Sequence, residues 1–117
     1  MFVKNINEIS KEKVQSGSQA FKQVLIGHDQ GPNFSMRRFI IEPGGYMPLH
    51  TNTVEHEQFV LNGRAQIIIG EQTYEVKRND VVFIPSGVKH SYKVLGNEAF
   101  EFLCMVPNKT DTMEIVK

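Results

Sequence analysis

The chain has 117 residues, enough for one compact domain with one core. Its 40% apolar and 22% charged content is that of an ordinary globular protein. Lys+Arg and Asp+Glu both count 13, no basic run forms a phosphate-binding stripe and no segment reaches membrane-spanning length. Neither nucleic acid nor membrane is therefore expected as a partner. The single cysteine excludes an internal disulfide, and the start "MFVKNINEIS" lacks the apolar stretch of a secretion signal, so the expected location is the cytoplasm.

Residues 1–33 are the most polar part and are expected to form an N-terminal strand or loop segment that packs on a barrel made by residues 34–117. Within it, "ISKEKVQSGSQAFKQ" reads as loop or short strand, "VLIG" as a short strand ended by glycine and "HDQGPN" as a turn. From Phe34 onward strand signals repeat: "FSMRRFII", "EQFVL", "AQIII", "YEVK", "VVFIP", "HSYKVL" and "FEFLCMV". Each run is short, rich in β-branched or aromatic residues, and closed by Gly, Pro, Asn or Asp. Stretches of helical period are absent. The expected class is all-β, a sandwich or barrel that conceals its sheet edges.

The stretch "EPGGYMPLHTNTVEHEQFVLNG" carries the chemistry. "EPGG" predicts a tight turn, and "YMPLHTN" an extended segment. On a strand, residues i and i+2 share a face, so His50 and Asn52 point the same way and can converge on one ion. "TVE" turns the chain, and "HEQFVL" can return beside it with His56, Gln58 and Val60 inward and Glu55 and Glu57 outward. In "VKHSYKV", the alternation of Lys89, Ser91 and Lys93 with His90, Tyr92 and Val94 puts His90 inside. His28 lies in a polar turn and reads as a surface residue. A degenerate barrel with hydrogen-bonded core histidines is the competing reading. Three inward imidazoles argue against it, because a buried imidazole without a partner costs free energy.

These residues fall on two spaced motifs. Gly44, His50, Asn52, His56 and Gly63 occupy the fixed positions of G-x5-H-x-H-x3-E-x6-G. Asn79, Pro85, Gly87, His90 and Val94 occupy those of G-x5-P-x-G-x2-H-x3-N. The chain thereby resembles the cupin superfamily, whose fold is a double-stranded β-helix, the jelly-roll barrel. "VEHEQFVLNG" and "EFLCMVP" resemble small single-domain cupins of the "WEHE..VL.G" type, in which His replaces the motif Glu to give a four-histidine site. Asn52 departs by standing where the second His would be. Its side-chain carbonyl can bind a divalent ion directly or through a water. Asn79 replaces a turn glycine and tolerates left-handed backbone.

The resemblance implies one divalent transition-metal ion held by His50, Asn52, His56 and His90, a donor set suited to Zn, Ni, Fe, Mn or Cu. All four ligands are neutral, so the ion's charge would be uncancelled and a small anionic ligand is expected: a carboxylate, enolate or phenolate. One of Arg37 and Arg38 should face the barrel, and the resemblance selects Arg37 as pocket-lining. Phe102 is either a pocket wall or ordinary core, and Cys104 either lies near the pocket or is a small core hydrophobe. Met47, Gln58 and Tyr92 are further pocket candidates. Leu103 and Met105 make the opposite face of the same strand apolar, which implies burial on both faces and a homodimer. The functional expectation is a metal-dependent oxygenase or related enzyme acting on a small anion. A non-catalytic module sensing a small anion or a metal is the alternative.

Overall fold

The computed structural model describes residues 1–117. Ten strands follow one another: β1 (Glu12–Lys13), β2 (Ser18–Ile26), β3 (Phe34–Asn52), β4 (His56–Asn62), β5 (Arg64–Ile69), β6 (Gln72–Lys77), β7 (Val81–Ile84), β8 (His90–Leu95), β9 (Phe100–Pro107) and β10 (Met113–Ile115). One 3-10 turn, Ile6–Glu8, precedes them, capped by Asn5.

The long strand β3 organises the barrel. Its first half pairs antiparallel with β9, from Phe34 opposite Pro107 to Ile41 opposite Phe100. Its second half pairs with β8, with Tyr46 opposite Lys93 and His50 opposite His90. β2 and β10 also pair with β3, and β1 pairs with β2. The remaining order, β6-β5-β8-β3-β9-β4-β7, completes an antiparallel sheet curled on itself into the jelly-roll barrel.

"EPGG" is not the tight turn its composition suggests. It is a bulge inside β3, where pairing with β2 jumps from Tyr46 opposite Ser18 to Ile41 opposite Ala20. The glycines serve that bulge. Gly44 has φ +82, and a Cβ on Gly45 would stand 2.6 Å from the Ser18 carbonyl oxygen. The extra residues bend β3, so that one strand supplies both walls of the barrel.

"HEQFVL" also departs from expectation. After the turn at 53–55, β4 does not return beside the segment that carries His50. It crosses to the opposite wall and pairs with β9 and β7. Alternation fixes which side chains face inward but not which strand lies alongside. Asn79 does take left-handed backbone, with φ 77.

The core is built around an aromatic stack. Phe102 stacks between Phe39 and Tyr92, with ring centroids 5.2 Å from each, and Phe100 lies 5.4 Å away. Ile41, Val60, Ala65, Ile67, Val82 and Ile84 pack around this aromatic stack. The polar residues with chemistry adjoin this cluster directly, the Tyr92 ring lying 5.9 Å from that of His90.

Candidate metal centre

Three imidazoles meet inside the barrel from two walls. His50 and His90 are cross-strand partners on β3 and β8, with ring centroids 4.2 Å apart. His56 arrives from β4 and presents its ring edge-on to His90 at 5.5 Å. All three are buried, and so is Asn52, two residues beyond His50 on the same face of β3. The alternation in β4 and β8 does this work: Glu55, Glu57 and Lys93 stay exposed while their neighbours turn in.

Backbone carbonyls set the ring orientation. His50 Nδ1 lies 2.7 Å from the Pro48 oxygen, and His90 Nδ1 lies 3.0 Å from the Val88 oxygen. A carbonyl oxygen only accepts, so Nδ1 carries a proton in both rings and Nε2 is the nitrogen left to face a ligand. Such a contact is how metal-ligating histidines are commonly held. Burial pushes His90 down from 6.5 to about 4, helped by the neighbouring His50 and His56. Burial likewise lowers His56, and the charge of Arg37 adds to the effect, while Asp111 opposes it. Both imidazoles are therefore neutral at neutral pH, the form that binds metal.

The cluster is not a closed coordination shell, and no three His, Cys, Asp or Glu side chains are grouped tightly enough to hold an ion as they stand. What sets three atoms of the cluster apart is their lack of partners. His90 Nε2, His56 Nδ1 and Asn52 Oδ1 are buried without a hydrogen bond. Buried polar atoms are nearly always paired, so three orphans on adjoining residues form a set that an ion would satisfy. Imidazole nitrogens and an amide oxygen fit a divalent transition metal in donor chemistry.

A second polar layer adjoins the histidines. Across β4, β9 and β3, Gln58, Cys104 and Arg37 stand side by side. Arg37 Nη2 donates to Cys104 Sγ at 3.3 Å, and Gln58 Nε2 donates to the Tyr92 hydroxyl at 2.7 Å. Burial raises the pKa of both Tyr92 and Cys104, so neither ionises at neutral pH. Arg37 turns inward, its guanidinium 5.1 Å from the Phe39 ring centroid. Arg38 turns out, bonded to Glu101 and Gln23. No carboxylate pairs with Arg37, and its Nε is buried without a partner.

A cavity of about 650 Å³ opens beside Arg37, walled also by His28, Ser35, Val54, Val106, Lys109 and Asp111. The three histidines do not line it and lie deeper in the barrel. Phe102 is occupied on both faces by aromatic rings and does not reach this cavity; nor does Met47, buried in the core.

One residue of the site had no signal in the sequence. Asp111, from the loop before β10, accepts a hydrogen bond from Asn52 Nδ2 at 3.0 Å and another from the Thr53 amide at 2.9 Å. The sequence pointed to no acid beside the cluster, and Asp111 supplies one. Glu55 and Glu57, the acids nearest in sequence, are exposed, whereas Asp111, 59 residues from Asn52, touches a candidate ligand.

A curled antiparallel barrel with inward imidazoles from both walls defines a class. The Cupin_2 family model, described as a Cupin domain, matches residues 37–106. The chain belongs to that family. It is similar to 1-methylthio-D-xylulose 5-phosphate methylsulfurylase of Rhodospirillum rubrum, at 29% identity over 86% of this chain and 67% of the relative. Among solved structures it is similar to a cupin-2 domain from Rhodospirillum rubrum, with TM-score 0.80, 28% identity, and coverage of 93% of this chain and 73% of that one. It also resembles the polyketide cyclase RemF from Streptomyces resistomycificus, with TM-score 0.92 over 100% of this chain and 86% of that one. At 24% identity, this last likeness is one of fold.

Proposed function

We propose that the chain binds one divalent transition-metal ion, among Zn, Ni, Fe, Mn and Cu, through His50, His56, His90 and Asn52, and uses it to bind and transform a small anionic molecule. The observation that carries this reading is the trio of buried, unpartnered donors at His56, His90 and Asn52. When bound, the ion would supply Lewis-acid polarisation of a coordinated oxygen and, if redox-active, electron transfer.

The protein's own groups support an anion. Arg37 is a charged, partly buried guanidinium without a carboxylate partner, on the wall of the cavity. A planar guanidinium of this kind suits carboxylate or phosphate. Asp111 is the one carboxylate on that wall, where Arg37 and Lys109 both stand. Gln58 and Tyr92 are buried hydrogen-bonding groups beside the histidines and could orient a ligand that displaces their mutual contact. The Rhodospirillum rubrum relative is named for a sugar phosphate, also an anion. A metal-dependent enzyme of oxygenase type is the reading we favour, in the reducing cytoplasm, where a lone buried thiol stays free.

The outer face of β7, β4 and β9 supports a homodimer. Val81, Phe59 and Leu103 lie in one row across the three strands, and Phe83, Glu57 and Met105 in the next. Phe59, Val81 and Phe83 are 37%, 79% and 55% exposed, an apolar patch across the two rows that a second copy would cover.

Calorimetric titration of metal-loaded protein with a small carboxylate and its matching amide tests the anion reading. The carboxylate should bind more tightly, and Arg37→Glu should weaken it without removing metal. Equal affinity for carboxylate and amide would refute the preference for anions.

A further inference from the structure

We propose that Asp111 is a positioning residue that turns Asn52 into an oxygen donor, so that a strap distant in sequence completes the metal site. The inference rests on the reading of the histidine cluster as a metal centre.

A side-chain amide can present either its oxygen or its NH2 group to a neighbour, and the two differ only by a half-turn. The oxygens of Asp111 can only accept when ionised. The Asn52 group 3.0 Å from Asp111 Oδ2 must therefore be the NH2. That contact directs the amide oxygen away from Asp111. Asn52 Oδ1 is buried and finds no hydrogen-bond donor, and on its face of β3 its neighbour two residues back is His50. Without the carboxylate, nothing in the structure prevents the half-turn that would point an NH2 group, which cannot ligate, toward the imidazoles.

Asp111 is itself fixed in place. Its other oxygen, Oδ1, accepts from the Thr53 amide at 2.9 Å and the Thr53 hydroxyl at 3.2 Å. The Thr112 amide donates to the same hydroxyl at 2.9 Å. β10 then pairs with β3 at Asn52, Thr51 and His50, and Val116 N donates to the Leu49 oxygen at 2.9 Å. The strap thus runs along the strand that carries two of the four donors. A carboxylate on the amide NH2 also polarises the amide and makes its oxygen a better donor. Asn52 and Asp111 together then present one formal negative charge at one remove, in a donor set whose members are each neutral.

Groups that orient a ligand typically change metal affinity about 10–100-fold when replaced. Competition between the protein and a chromophoric chelator for Zn2+ measures the effect. Asp111→Asn should weaken Zn2+ binding about tenfold, because an amide at 111 no longer enforces the orientation. In an Asn52→Ala background, the same Asp111→Asn change should have no further effect, since its target is gone. Weakening that persists in that background would show that Asp111 acts through the strap and overturn the proposal. So would unchanged affinity in Asp111→Asn itself.

NMR of the metal-free protein gives a second readout. The Asn52 side-chain NH2 should be protected from exchange in the wild type and lose that protection in Asp111→Asn; an unprotected wild-type amide contradicts the proposal. If Zn2+ binds and is lost in His90→Ala while Asp111→Asn changes nothing, the metal reading stands and only this inference falls. If the wild type binds no Zn2+, both fall.

Discussion

Acidification of the metal-free protein provides a quantitative test of the buried imidazoles. His90 drops from 6.5 to about 4 in the folded protein, chiefly because burial disfavours its charged form. Between those two values the unfolded chain binds a proton that the folded chain refuses. Stability therefore rises with pH across that window and falls as pH is lowered from 6.5 toward 4. At ~1.4 kcal/mol per tenfold difference in proton affinity, the gap corresponds to a loss of about 3 kcal/mol from this one residue. His56 is lowered as well and adds a loss of the same sign. Carboxylates titrate in part of the same range, so the wild type alone does not isolate the effect. Urea unfolding across the window, in the presence of chelator, should be compared between wild type and His90→Gln. The variant should show a shallower fall by about 3 kcal/mol, on the order of one fifth to three fifths of a typical domain's stability. Identical pH slopes in the two proteins would refute the buried, neutral state assigned to His90.

Two further outcomes follow from the packing. Phe102→Ala removes the middle ring of an aromatic stack and should cost about 3–5 kcal/mol by denaturant unfolding; a cost under about 1 kcal/mol would show that the stack is not central to the core. Leu103→Glu should convert a dimer to a monomer in sedimentation at neutral pH, and a wild type that sediments as a monomer at high concentration would remove the dimer reading.

Strand faces were legible in the sequence because alternation is a local property. "HSYKV" marks its buried set by placing Ser91 and Lys93 between its members, and "HEQ" does so with Glu57; the burial of His56, Gln58, His90 and Tyr92 follows that pattern. "FSMRRFII" lacks the same contrast, since Met36 and Phe39 lie on opposite faces and adjacent arginines compete. The face of Arg37 is settled by its register against Cys104 on β9. The glycines of "EPGG" carried a real signal with two readings, because left-handed backbone serves a bulge as readily as a turn. Pairing of β4 with β7 and β9 was not legible, as hydrophobic pattern does not name a partner strand. Asp111 was invisible for the same reason in stronger form. Its contact spans 59 residues, and the three-residue strand after it is too short to show a period.

Metal content decides whether the histidine cluster is a metal centre. Protein purified from its native host should carry about one transition-metal ion per chain by elemental analysis, because one set of orphaned donors can hold one ion. His90→Ala, with its fold verified by circular dichroism, should lose that ion. An occupied His90→Ala protein, or a wild type that remains empty after dialysis against each of Zn, Ni, Fe, Mn and Cu, would contradict the account.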